Sequence, residues 1–143
     1  MTVDLFPRPA PTGDHAVYWD WLRRGELRLQ RCSSCAAWRF HPRPRCPKCR
    51  SAEHTWEQVS GRAQVASWTV CHPPVLPAFA DRAPYNAVVV ELAEGPFMVS
   101  NLLGVANEDL EVGTPVELEL VRIDDELTLP QWRPTSSLRS GGG

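Results

Sequence analysis

Two Cys-x-x-Cys pairs, Cys32/Cys35 and Cys46/Cys49, constrain this chain more than any other feature. Each pair lets two sulfurs approach one ion from a single tight knuckle, and the ten residues between them, Ala36 to Arg45, suffice for a short hairpin that closes the site. The expected product is a tetrahedral tetrathiolate metal centre. Zinc is the expected ion: four soft thiolates suit zinc or iron, and only zinc needs no redox partner. The competing readings are two disulfides or a redox Cys-x-x-Cys. A redox motif usually comes singly beside a βαβ pattern, and the first dozen residues here are Pro-rich with no apolar core of the secretory kind.

A length of 143 residues fits one domain, or one domain with a small appendage that depends on its ion. No stretch reaches the roughly 18 apolar residues of a membrane span. A fifth cysteine, Cys71, has no partner motif and suits a reducing compartment, so a soluble, cytoplasmic protein is expected. Fourteen prolines argue against a helical bundle and for short strands joined by turns. The net charge of −2 is unevenly spread. Residues 20–50 carry nine Arg or Lys against Asp20 and Glu26, whereas residues 51–143 carry five Arg against thirteen acids. A basic metal half therefore precedes an acidic remainder, and it can meet nucleic acid, a phosphorylated ligand or an acidic partner, or simply be solvated.

Residues 1–11 read as an extended arm, and Thr12-Gly13-Asp14 offers caps for a helix reaching Arg24, with Gly25 as its stop. Together they form an N-terminal segment, 1–25. Tyr18, Trp19, Trp21 and Leu22 place more aromatic area on this short helix than its surroundings should hide, so they are predicted to face a partner. The ribbon follows at 26–55, where Leu27 to Arg31 alternates as a strand and Trp38 and Phe40 cover the metal site. From 56 to 134 the pattern is β throughout: Trp56–Val59 leading into Ala63–Val70, then Tyr85–Leu92, Phe97–Leu103, Val116–Val121 and Leu127–Trp132, with a helical turn at 107–110. Five strands without a helical crossover suggest a small closed barrel of the OB type. The Gly-rich segment 135–143 reads as a disordered tail.

Arg23-Arg24-Gly25-Glu26-Leu27, the run Gln30 to Cys35, the run Pro42 to Cys49, His72-Pro73-Pro74, Glu94-Gly95-Pro96 and Val112 to Val116 together resemble one known family. It is the acyl-CoA-associated family that couples a rubredoxin-like zinc ribbon to an OB-fold, known as domain of unknown function thirty-five. The resemblance covers about residues 15–134. It implies a mainly β protein with an N-terminal helix, and one structural zinc held by Cys32, Cys35, Cys46 and Cys49. It also implies an accessory role beside a thiolase-like lyase acting on CoA thioesters, as in steroid side-chain breakdown, with a hotdog-fold enoyl-CoA hydratase as a further partner. No catalytic residue is carried over.

A CoA thioester would find matching chemistry in Arg39, Arg43 and Arg45 for its phosphates and in His72, beside Pro73-Pro74, as a channel-lining group. The same arginines could contact a partner surface or stay solvated. Cys71 and His72 are adjacent in an extended segment and point to opposite faces, so they do not form a nucleophile–base pair. Two rival readings follow from the residues. A single-stranded nucleic-acid-binding ribbon/OB module wants aromatics on a positive sheet, and the barrel is acidic. Electron transfer through a rubredoxin-like iron centre would colour the protein strongly.

Overall fold

The computed structural model describes residues 8–9 and 11–135, and everything below concerns these. The expectations for the rest of the arm and for the tail from 136 lie outside the described residues. Helix α1 spans Asp14–Arg23. It ends where the sequence predicts and for the predicted reason: Gly25, at φ 92°, turns the chain so that its N–H meets Leu22 O and that of Glu26 meets Trp21 O. Tyr18 and Leu22, four residues apart, are both buried on the face turned to strands of the ribbon and the barrel.

The ribbon is a three-stranded antiparallel sheet of β1 (Arg28–Cys32), β2 (Trp38–Arg39) and β3 (His54–Gln58), with β1 in the centre. β3 pairs with β1 along its whole length, from Arg28 opposite Gln58 to Cys32 opposite His54. The change of sheet therefore falls at Val59–Gly61, just after β3. Gly61, at φ 80°, makes that corner, and its carbonyl accepts from Leu118 N (2.8 Å).

Five strands follow: β4 (Arg62–Cys71), β5 (Tyr85–Leu92), β6 (Phe97–Ser100), β7 (Pro115–Arg122) and β8 (Thr128–Pro134), paired antiparallel in the order β6-β5-β4-β7-β8. β5 alternates half-buried and buried residues without a break, as one face turned inward requires. A bulge between Val65 and Ser67 bends β4, which pairs with β7 only over Arg62–Gln64. At the far side the two edges meet through a parallel bridge between Leu102 and Trp132, with Leu103 N on Trp132 O (2.7 Å) and Trp132 N on Asn101 O (3.1 Å). The result is the curled, partly open sheet of an OB-fold rather than a fully closed barrel. Short 3₁₀ turns occupy Pro77–Arg82, which periodicity did not anticipate, and Asn107–Asp109, which it did. One cluster of buried residues runs from Tyr18 and Leu22 through Leu27 and Leu29 to Val65, Val88, Val90, Met98 and Trp132, so the helix and ribbon share a core with the barrel.

Candidate metal centre and the ribbon surface

The two knuckles are one turn made twice. In the first, Cys32 N bonds Ala37 O (2.8 Å) and Ala36 N bonds Cys32 O (2.9 Å); in the second, Cys46 N bonds Ser51 O (2.9 Å) and Arg50 N bonds Cys46 O (2.9 Å). The residue after each pair, Ala36 or Arg50, is left-handed at φ 66°. Folded this way, the four sulfurs of Cys32, Cys35, Cys46 and Cys49 lie within 4.8 Å of one another, with Cys32–Cys49 at 3.5 Å and Cys35–Cys46 at 3.6 Å. Thiolates about 2.3 Å from one tetrahedral ion stand about 3.8 Å apart, so the cluster fits such an ion. Backbone amides favour the thiolate at Cys32 and Cys46 before any ion arrives, whereas at Cys49 the amide of Ser51 is outweighed by the neighbouring sulfurs, which push the thiol up to about 12. Amide groups of Cys35 and then Ser34 hold the Cys32 thiol at about 6 against opposing burial. Cys46 is likewise lowered, chiefly by the amide of Cys49 at 3.5 Å, with Lys48 N at 3.4 Å.

Behind the knuckles lies a polar network that the sequence reading missed. Arg39 is 1% exposed, and its guanidinium spans Ser51 O (2.9 Å), Glu53 O (3.0 Å) and Arg43 O (3.4 Å). Gln30, fully buried, accepts from Arg43 N at 2.7 Å. Its amide nitrogen then faces His54 Nε2 (3.3 Å), while His54 Nδ1 stands 3.1 Å from the Arg39 guanidinium and 3.2 Å from Ala52 O. Arg39 is thus a strut between the knuckle strands, and the expectation that it binds phosphate is corrected: both its Nη groups are spent on carbonyls in the chain's own interior, and its Nε is buried without a partner. The only signal in the sequence is that a central strand is covered on both faces, so Gln30 is buried beside Leu29 instead of alternating with it.

Arg43 and Arg45 are exposed. Arg45 reaches Arg50 O at 3.1 Å. His72 is exposed in the loop after β4, remote in sequence from these arginines. Of the four helix residues expected at an interface, Tyr18 and Leu22 are corrected. They are 6% and 0% exposed and belong to the shared core, because one face of the helix packs on the ribbon and β8. Trp21 is half-buried beneath the Arg28 guanidinium, 4.1 Å from its ring centre. Trp19, also half-buried, stands between two grooves.

The first groove, of about 290 Å³, lies where His15, Trp19, Phe40 and His41 meet Val99 and Leu129; the second, of about 510 Å³, lies between Trp19, Arg23 and the β7–β8 tip. The largest, of about 750 Å³, opens at the barrel mouth between Phe79, Tyr85, Leu103, Ile123 and Leu129. Its floor is a chain of amides in which Gln131 donates to Asn101 (3.0 Å), and Asn86 donates to Leu102 O (2.9 Å) and accepts from Leu102 N (2.8 Å). Val99, at 70% exposure, and Phe97, at 56%, leave an apolar patch on β6. Cys71 is half-buried and in contact with Tyr85, the residue opposite it on β5, whose hydroxyl burial pushes above its ordinary value.

Residues 19–55 match the family described as the ChsH2 rubredoxin-like zinc ribbon domain, and residues 56–121 match the ChsH2 C-terminal OB-fold domain. Over 91% of its length the chain is 42% identical to a probable enoyl-CoA hydratase alpha subunit of Thermomonospora curvata. Over 94% it is 31% identical to the 3-oxo-4,17-pregnadiene-20-carboxyl-CoA hydratase alpha subunit of Mycobacterium tuberculosis. It spans only 40% and 42% of the length of those two subunits. A DUF35 domain-containing scaffold protein of Methanocaldococcus jannaschii is 34% identical over 67% of this chain and 68% of its own. Among solved structures, a chain of the Ltp2-ChsH2(DUF35) aldolase superposes with a TM-score of 0.82 at 41% identity, covering 89% of this chain and 98% of that one. Ribbon, barrel and relatives agree: the chain belongs to the DUF35 family of zinc-ribbon and OB-fold proteins.

Proposed function

We propose that this chain is an accessory, non-catalytic subunit that binds and supports a thiolase-like aldolase or lyase acting on CoA thioesters, in steroid side-chain or other lipid degradation. The observation that carries this reading is the near full-length likeness to the DUF35 chain of an aldolase complex. The hydratase names among the relatives favour acyl-CoA chemistry, and the pregnadiene-carboxyl-CoA name favours a steroid substrate, with a hydratase as a further partner. Zinc fits the four thiolates best. Bound there it would act as a structural staple, because all four positions of a tetrahedron are filled by protein and none is left for a substrate. Cytoplasmic residence suits five cysteines that form no disulfide among the described residues, where no helix is long and apolar enough to cross a membrane.

In such a complex the acyl-CoA would pass along the barrel mouth and the apolar β6 face, walls that exclude water while the partner supplies the reacting groups. The test is reconstitution. The metal-loaded chain, the Ltp2 component of the solved complex, and their mixture are each assayed for retro-aldol cleavage of a steroid-acyl CoA. Turnover by the mixture and none by this chain alone is expected. Turnover by the isolated chain, abolished by a substitution within it, would refute the accessory reading.

A further inference from the structure

Four cations crowd the second knuckle: Arg43, Arg45, Lys48 and Arg50, all exposed. On the helix and β1 the arginines are matched with acids: Arg23 and Arg24 with Asp20, Arg28 with Glu26, and Arg31 with Glu57. These four make no ion pair among the described residues, and Glu53, the one acid between Cys32 and Trp56, makes none either. They do more than offset the metal, since a divalent tetrathiolate carries a formal charge of about −2 and four cations exceed it.

The backbone of this segment is also constrained, by its prolines and by hydrogen bonds to buried side chains. Pro42 fixes the backbone just before the cations, and Pro44 and Pro47 fix it between them. The backbone of Arg43 is held at both ends, its N–H by buried Gln30 and its carbonyl by buried Arg39. Arg50 keeps a long charged side chain at a left-handed position where glycine would be easier. Buried polar groups are thus spent on fixing the backbone beneath an exposed cation. That arrangement lowers the entropy lost when the cation is engaged.

None of the three grooves described above is lined by any of these side chains. A nucleotide phosphate is held best in a concavity that closes around it, whereas a convex tip presents charge to a broad surface. Nucleic acid is opposed by the acidic barrel joined to the ribbon, which carries Glu91, Glu117 and Glu119 on its strands. We infer that the tip formed by Arg43, Arg45, Lys48 and Arg50 is a preorganised docking surface for an acidic patch on a protein partner. The inference rests on the accessory-subunit reading for the existence of an enzyme partner, and on the tip itself for the chemistry.

Two measurements test it on the metal-loaded chain, with a variant carrying Arg43→Gln, Arg45→Gln, Lys48→Gln and Arg50→Gln and a second with lysine at the three arginine positions. The first measurement follows backbone NMR shifts while oligoglutamate, oligo-dT or CoA is added. Oligoglutamate should shift residues 43–50 in the parent and the lysine variant and not in the glutamine variant. Shifts there with oligo-dT or CoA, and none with oligoglutamate, would overturn the proposal in favour of a phosphate site. The second measures association with the Ltp2 component. The glutamine variant should associate at least about tenfold more slowly at low salt and with a flatter salt dependence, its metal content and melting temperature being those of the parent. Unchanged association overturns the docking role while leaving the accessory reading standing. A parent chain that does not bind Ltp2 removes support from the accessory reading instead, and the oligoglutamate shifts then decide the tip. If the glutamine variant loses its metal, the lysine variant and the parent's salt dependence give the same decision.

Discussion

Arg39 offers the sharpest separation of a structural role from a ligand-binding one. Arg39→Met keeps most of the side-chain volume and removes every donor. It takes one of two donors from Ser51 O and Glu53 O, bonded by the guanidinium at 2.9 and 3.0 Å and keeping Cys46 N (2.9 Å) and Ser33 N (3.1 Å), and it frees Arg43 O, held at 3.4 Å. Each bond to the charged guanidinium contributes about 1.5–3 kcal/mol, and less where the carbonyl keeps a second donor. Part of that is returned, because a guanidinium whose Nε already lacks a partner no longer has to be kept from water. A net loss of about 2–4 kcal/mol follows. Urea unfolding of the metal-loaded chain measures it, with chelator competition reporting whether the knuckles still hold their ion. Arg39→Lys should fare little better, since an ammonium cannot span two carbonyls as the planar fork does. A loss below about 1 kcal/mol in Arg39→Met, with CoA affinity of the assembled complex reduced, would refute the strut and return Arg39 to the phosphate role.

Cys46→Ser leaves three thiolates and should lose stoichiometric metal and the ribbon's protection from hydrogen exchange, read by mass spectrometry; a variant that keeps both would refute the staple. The purified protein should lack the strong visible absorption of a ferric tetrathiolate, which an absorbance spectrum checks. Leu22→Ala, at a fully buried core position, should lower stability by about 2–5 kcal/mol. Trp21→Ala, half-buried under Arg28, should cost less in unfolding than it costs in partner affinity, and equal losses in both assays would place Trp21 in the core. Asp124, to which Arg8 donates at 2.6 Å, is held below the ordinary carboxylate range. Its contribution is therefore fully present above about pH 4 and is lost only as the pH falls through the lower folded value. Side-chain NMR titration should show Asp124 protonating last among the aspartates and moving up in Arg8→Ala.

The metal site and the strands were legible because their signals are local. A Cys-x-x-Cys knuckle depends on four residues, and a half-buried strand such as β5 repeats every two. The errors came where a second surface covers a residue. Leu22 and Tyr18 looked like excess apolar area on a short helix, because nothing in their spacing reveals that the ribbon and β8 both pack against that face. Arg39 looked like surface charge for the converse reason: its partners are main-chain oxygens of Arg43, Ser51 and Glu53, and a carbonyl has no residue-type signature. The amide chain under the barrel mouth was invisible too, since Asn86, Asn101 and Gln131 meet only after β5, β6 and β8 have curled together.

A small ribbon could have been held by its ion and a few apolar contacts, and the placement of its polar core says what more is required of it. Gln30, Arg39 and His54 lie between the metal knuckles on one side and the backbone of Arg43 on the other. Replacing such a network by apolar side chains often leaves stability unchanged or raises it, so stability alone does not account for it. What apolar packing cannot do is fix one N–H and one carbonyl of a particular loop residue. The network does both at Arg43, and so ties the position of an exposed cation to the folded state of the knuckles. Loss of the ion should then loosen the charged tip before it disturbs the barrel, whose core residues from Val65 to Trp132 lie on strands that carry none of the four thiolates. Chelation should accordingly abolish partner association while the hydrogen-exchange protection of β5 survives, and simultaneous loss of both would show that the ribbon and barrel unfold as one unit.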